Sequence, residues 1–336
     1  MEWTGLMKNK DLGLIVVALL WLSSCDNGEK GEQVVSDDPP ATNIQAPPFN
    51  ADSAFIFIQD QVDFGPRIPN SRARELCADY MIDKLSAFTP HVITQEFDSR
   101  STTTGELYKF QNIIGRFNPE ATRRILLAAH WDTRLKADKF QDDPNASFDG
   151  ANDGGSGVGV LLEIARNLVQ LPDALGVDII FFDAEDQGGL GLDWCLGSKH
   201  WTANKHLNNY SAYYGILLDM VGAKNATFCQ EYHSMQFAPK IQEKVWNEAH
   251  QLGYSRYFLY QPTGAVEDDH YYVNLNARIP MIDIIDAKPN IDAQSDLFKD
   301  YHHRPGDNME VIDKQTLEAV GTTVLRLLYK EASLLM

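Results

Sequence analysis

Val177-Asp178-Ile179-Ile180-Phe181-Phe182-Asp183-Ala184-Glu185-Asp186 is the stretch whose reading decides the fold. Its first part is short and nearly continuous in apolar residues, the pattern of a strand covered on both faces of a sheet. It then stops abruptly at charge. Neighbouring acids at a strand end point in different directions, so one can hold a cation while the other moves protons. Two other runs end the same way: 125–129 gives way to His130, and 216–218 to Asp219. A lone strand-end acid often only caps the following helix. Several acids and imidazoles at strand ends mark the place where an open α/β sheet puts its active site.

Working outward, the patterning predicts strands over 107–115, 125–129, 177–182, 214–218 and 281–285. Helices are predicted over 71–87, 156–170, 239–252 and 313–334. Strands alternate with amphipathic helices and no internal repeat interrupts them, so the chain reads as an α/β domain.

The N-terminus must be set aside first. Lys8 and Lys10 precede an apolar run over 12–22, which reads as a secretory leader and is too short for an ordinary membrane span. The run ends in Leu22-Ser23-Ser24-Cys25, which resembles the bacterial lipoprotein box. That resemblance implies a signal peptide over 1–24 and a diacylated Cys25 as the new N-terminus. The polar, acidic, proline-bearing segment 25–50 is expected to be a flexible tether, leaving 51–336 as the catalytic domain. Such a chain sits on a membrane of the bacterial cell envelope, facing the periplasm or the exterior, and spans nothing.

The formal net charge of −18 argues against nucleic acid as a partner, because phosphate backbones need clustered Lys and Arg. Such a balance serves solubility first; as a second expectation, a negative field would favour substrates that carry a free amine. Cys77, Cys195 and Cys229 show no Cys-x-x-Cys spacing, so no structural zinc is expected from them. The glycosylation-like motifs at Asn145 and Asn225 read as chance in a bacterial lipoprotein.

Six pieces carry the chemistry. They are His130-Trp131-Asp132, the glycine-rich turn Gly150-Ala151-Asn152-Asp153-Gly154-Gly155-Ser156-Gly157, the acids Asp183 to Asp186, Leu218-Asp219-Met220, Glu267-Asp268-Asp269-His270, and Tyr301-His302-His303-Arg304-Pro305-Gly306-Asp307. Carboxylates and imidazoles around the borderline-soft zinc ion make a normal catalytic shell with an open position for substrate.

Taken in order, these pieces resemble the zinc aminopeptidase superfamily and, within it, the glutaminyl cyclases (glutaminyl-peptide cyclotransferases). Glu267-Asp268-Asp269-His270, Leu217-Leu218-Asp219-Met220-Val221-Gly222-Ala223 and Gly197-Ser198-Lys199-His200 carry the cyclase resemblance. It implies a three-layer α/β/α fold around a central mixed, mostly parallel, twisted sheet. It implies one zinc per chain on Asp153, Asp186 and His303, with Glu185 as proton shuttle and Asp219 and Asp268 as hydrogen-bonding acids beside it. His303 is preferred to His302 for its spacing to Asp307 and Asn308. Two departures stand out: Asp186 and Asp283 occupy positions where animal cyclases carry a glutamate and a histidine. Trp131, Trp194 and Trp201 lie near the pieces in sequence; Trp194 is the expected pocket wall, and Glu267 the expected substrate contact.

The implied activity is an acyltransferase reaction. The α-amine of an N-terminal glutamine attacks its own side-chain amide and expels ammonia, leaving pyroglutamate on the peptide or protein. The rival is a two-zinc aminopeptidase, in which His130 and Asp219 would bind a second metal bridged by Asp153. A non-catalytic binding module is disfavoured, because Asp153, Glu185, Asp186 and His303 are all present.

Overall fold

The computed structural model describes residues 45–289 and 296–336; the leader, Cys25 and most of the expected tether lie outside the described residues. The strands are β1 (Val92–Arg100), β2 (Leu107–Phe117), β3 (Arg124–His130), β4 (Gly176–Phe182), β5 (Tyr214–Asp219), β6 (Phe228–Gln230), β7 (Phe258–Pro262) and β8 (Met281–Ile285). The helices are α1 (Ala51–Asp63), α2 (Arg72–Phe88), α3 (Gly155–Leu168), α4 (Leu196–Ala203), α5 (Tyr232–Phe237), α6 (Pro239–Gln251), α7 (Asp269–Tyr272) and α8 (Lys314–Ser333).

Six strands form one sheet in the order β1-β2-β4-β3-β5-β8, and β6 and β7 make a separate parallel pair. The β4-β3-β5-β8 part is parallel, while β1 and β2 join antiparallel. This is the mixed, mostly parallel sheet expected. Alternate residues of each strand feed two cores. Leu127, Ile179 and Leu218 pack with α1, α3 and α8 on one face, whereas Leu126, Ile180 and Leu217 pack with Trp201 and Val273 on the other. With both faces covered, the central strands are buried throughout, which is why they read as apolar runs.

Asp178 is the exception inside such a run, and it is fully buried. The Arg124 guanidinium donates to it twice, at 2.6 and 2.8 Å, and Tyr210 Oη donates at 2.9 Å. A buried carboxylate is tolerated when it is paired in this manner. β1 was not predicted. It pairs on one side only and every second residue of its outer half is exposed, so its sequence lacks an apolar run.

From β3 the chain crosses through α3 to β4 on one side, and β5 then lies on the other side of β3. The carboxyl end of β3 is therefore a topological switch point. α3 comes in close there. A Cβ on Gly157 would lie 2.2 Å from the Leu218 carbonyl oxygen and 2.8 Å from Ala129 Cβ, so only glycine lets the helix start against β3 and β5. At the N-terminal end of the described body, Phe49 is buried against Gly321 of α8, so the tail of the stretch expected as tether lies on the body. No helix among the described residues is long and apolar enough to cross a membrane.

Candidate active site

The switch point opens into a cavity of about 240 Å³. Asp153, Glu185, Asp186, Trp194, Asp219, Glu267, Asp268 and His303, the residues singled out from the sequence, all line it, together with His302, Met220, Val266, Ile285, Leu297 and Phe298. Trp131 and Trp201 instead lie fully buried in the core.

Each strand end contributes in its own way. β3 ends at His130, whose Nε2 lies 3.1 Å from Asp153 Oδ1 and 3.2 Å from Asp219 Oδ1. Two residues on, the Asp132 carboxylate accepts from the backbone N–H groups of Glu185 (3.0 Å) and Asp186 (3.2 Å) and from Gln187 Nε2 (2.8 Å). The neighbouring strand thus fixes how the acids after β4 are aimed. Asp183 is turned away: it accepts from the backbone of Gln111 at 2.7 Å and pairs with Arg74.

Asp153 does not cap α3; the cap position is Gly154. Asp307 holds the turn instead, accepting from the backbone N–H of Asn152 (2.8 Å) and Asp153 (3.1 Å). That leaves the Asp153 side chain free for the imidazoles. Its Oδ2 lies 3.7 Å from His303 Nε2 and 3.8 Å from His302 Nε2, and His303 Nε2 lies 3.1 Å from Asp186 Oδ1. Asp153 Oδ2 and Asp186 Oδ2 are buried without a hydrogen-bond partner.

These donors fit a small divalent cation. Ligands about 2.1 Å from zinc in a tetrahedral shell sit about 3.4 Å apart. His303 Nε2 keeps 3.7 Å to Asp153 Oδ2 and 3.1 Å to Asp186 Oδ1, and donor atoms of Asp153, His302 and His303 lie within 4.8 Å of one another. The two histidines differ in their backing. His303 Nδ1 faces Asp138 Oδ1 at 3.2 Å, the carboxylate support typical of a metal-bound imidazole. His302 Nδ1 faces the Lys139 ammonium at 2.7 Å, which draws electron density away from the ring. A second cluster, His130, Asp153 and Asp219, also has donor atoms within 4.8 Å of one another.

Glu185 lies on the other flank, where its carboxylate, the Cys195 sulfur and the Asp268 carboxylate all lie within 4.8 Å of one another. Burial, reinforced by the charge of Asp268, pushes the Glu185 carboxyl well above its ordinary range. Burial and Asp219 push Asp268 up to about 6. Behind Asp268 lie the fully buried Asp269, Asp283 and His270, the last held by Glu231 at 3.1 Å. Tyr272 Oη donates to Glu267 at the cavity rim.

Sequence reading missed Arg134, Asp138 and Cys195. The first two sit in a loop without regular structure, where no periodicity marks them. Cys195 has a free buried thiol that donates to Glu185 Oε1 at 3.3 Å, a contact that exists only once the loop after β4 folds back on itself.

Relatives share this architecture. The peptidase family M28 model matches residues 112–328. A Bacteroides thetaiotaomicron glutaminyl cyclase bound to N-acetylhistamine is 46% identical, with a TM-score of 0.80 over 84% of this chain and 99% of that one. A Zn-dependent exopeptidase from Parabacteroides distasonis is also 46% identical, with a TM-score of 0.78 over 84% and 99% of the two chains. Drosophila melanogaster glutaminyl-peptide cyclotransferase is 24% identical over 77% of this chain and 75% of that protein. The chain belongs to peptidase family M28 and, within it, to the glutaminyl cyclases.

Proposed function

We propose that the chain converts the N-terminal glutamine of peptides or proteins to pyroglutamate and releases ammonia, with one zinc on Asp153, Asp186 and His303 and with Glu185 moving the proton. The observation that carries this reading is the division of the cavity. Unpartnered carboxylate oxygens of Asp153 and Asp186 lie on one flank, and on the other stands Glu185, whose carboxyl burial and Asp268 push well above its ordinary range.

Zinc bound there would supply a Lewis acid toward the side-chain amide oxygen. The remaining work belongs to side chains. The cavity, walled by Trp194, Leu297 and Phe298, holds the glutamine stem folded so that amine and amide carbon meet. Glu185 takes a proton from the attacking amine and returns it to the leaving nitrogen as the new C–N bond forms and the old one breaks. Glu267 at the rim and the chain's negative balance favour the free ammonium end of the substrate. Asp268 adds its charge to the burial that raises Glu185, and Asp219 in turn raises Asp268, so protons in this row of carboxyls belong to the group rather than to one residue. The shorter Asp186, its backbone N–H held by Asp132, brings Oδ1 to 3.1 Å from His303 Nε2.

The test is to incubate protein lacking its first 25 residues with a Gln-initiated peptide, reading pyroglutamyl mass and ammonia. Release of free N-terminal amino acids, with metal approaching two zinc per chain, would sink the cyclase reading in favour of the aminopeptidase.

The proposal includes an envelope location through a lipid on Cys25, supported by the Leu22-Ser23-Ser24-Cys25 pattern. Metabolic labelling with an alkyne fatty acid should mark the full chain and leave Cys25→Ala unmarked. Equal labelling of the two would remove the anchor from the proposal.

A further inference from the structure

We infer that Arg134 is a positioning residue that couples the ligand flank of the cavity to its aromatic wall, so that cation occupancy at Asp153, Asp186 and His303 is felt at Trp194 and the reverse. The inference rests on the ligand assignment proposed above. It extends that assignment to a residue with no direct place in the chemistry.

Arg134 lies on the loop after β3 and is only 3% exposed. Its Nη1 donates to the backbone oxygen of Asp186 at 3.0 Å and lies 3.3 Å from Asp186 Oδ1. Its Nη2 donates to Asp138 Oδ2 at 2.5 Å, and the other oxygen of that carboxylate faces His303 Nδ1 at 3.2 Å. One guanidinium therefore touches one proposed ligand directly and backs a second through Asp138. Its Cζ lies 4.8 Å from the centroid of the Trp194 ring, the distance of a cation–π contact. Trp194 in turn lines the cavity.

The chemistry of the joint explains why arginine stands there. A guanidinium is a rigid planar fork that stays charged, so it can hold two carboxylates along its edge and an indole on its face at once. Lysine offers the charge as a point and cannot do both. A cation that took up the carboxylate charge of Asp186 would weaken its pull on Arg134, and the guanidinium would shift its weight to Asp138 and the indole. The indole is thereby set in place as the cluster fills. Coupling of this kind is reciprocal, so a ligand seated against Trp194 tightens cation binding by the same factor.

The experiment uses the metal-free protein, zinc added alone, competition with a chromophoric chelator, and tryptophan fluorescence. Wild type should show a fluorescence change on zinc addition, and Trp194→Phe should lose most of it. Arg134→Met should keep one zinc, bind it about 10-fold more weakly, and lose the fluorescence change. Arg134→Lys, which retains the charge without the fork, should recover part of the affinity and none of the fluorescence change; it also serves if Arg134→Met fails to fold. Wild-type affinity together with a wild-type fluorescence response in either Arg134 variant overturns the coupling, as does a wild-type signal indifferent to zinc. Asp186→Asn separates the two levels. If it binds zinc as tightly as wild type, the ligand assignment itself fails. If it loses zinc while Arg134→Met behaves as wild type, only the coupling does.

Discussion

The two oxygens of Asp153 face unlike surroundings. On the Oδ1 side stands His130, 1% exposed, set between Asp153 and Asp219 and with its Nδ1 3.5 Å from Asp132. Burial by itself would lower the pKa of this imidazole, but its bonds to Asp132, Asp153 and Asp219 hold it well above the usual histidine range. On the Oδ2 side the oxygen has no partner and looks toward the cavity, with His302 and His303 near it. Both sides carry metal-binding residue types. On the Oδ1 side Asp153 itself is satisfied by His130, whereas its Oδ2 is not, and a buried carboxylate oxygen without a partner is costly unless something binds it. One side chain thus does two jobs, knitting the sheet with one oxygen and serving the cavity with the other.

This contrast can be broken or sharpened by substitution. The largest effect is expected at His303→Ala, which should weaken zinc binding on the order of 10³-fold and abolish turnover with it, because one of the three proposed protein ligands is removed. Zinc titration checks it, and an equal loss in His302→Ala would erase the distinction drawn between the two imidazoles. Next comes Glu185→Gln. It should lower kcat by about 10³-fold while bound zinc, measured by elemental analysis, stays at the wild-type level. Joint loss of zinc would mean that Glu185 and Asp186 have exchanged roles.

A smaller effect is expected at Asp138→Asn, which removes the charge behind His303 Nδ1 and should weaken zinc about 10-fold with the fold intact. The smallest change in metal content belongs to the other side of Asp153. His130→Asn should leave zinc per chain unaltered and show itself in stability instead, lowering it by about 3 kcal/mol through carboxylates left without their partner. A fall from two zinc to one in that variant would join the two sides into a dinuclear site.

Much of this arrangement was legible before any coordinates. The runs ending in His130, Asp183 and Asp219 gave β3, β4 and β5, because strands buried on both faces must be apolar along their whole length. The glycine-rich turn marked Asp153 as a residue free to point inward, whereas the close approach of Gly157 to β3 and β5 shows only in the fold. What stayed hidden depends on contacts remote in sequence. β1 is a half-exposed edge strand, and its Thr94, Gln95 and Glu96 look like loop residues. α1, although its buried Ala54, Phe57, Ile58 and Gln61 follow helical spacing, and the two-turn α4 are likewise absent from the elements expected of the sequence. Arg134 and Asp138 gain meaning only when the loop after β3 folds beside Asp186 and His303. Asp132 was visible as part of His130-x-Asp132, but its grip on the backbone after β4 is a tertiary fact.

The wall made by Trp194 has a consequence for how this cavity can change over generations. A Cβ on Gly188 would fall 2.0 Å from Cδ2 of that indole, so any larger residue at 188 must displace the ring. The indole wall can therefore change only at position 194 itself, and only by becoming smaller, since no encoded side chain exceeds tryptophan. On this wall the easy evolutionary step leads toward bulkier guests, while narrowing falls to the opposite lining at Val266, Ile285 and Leu297.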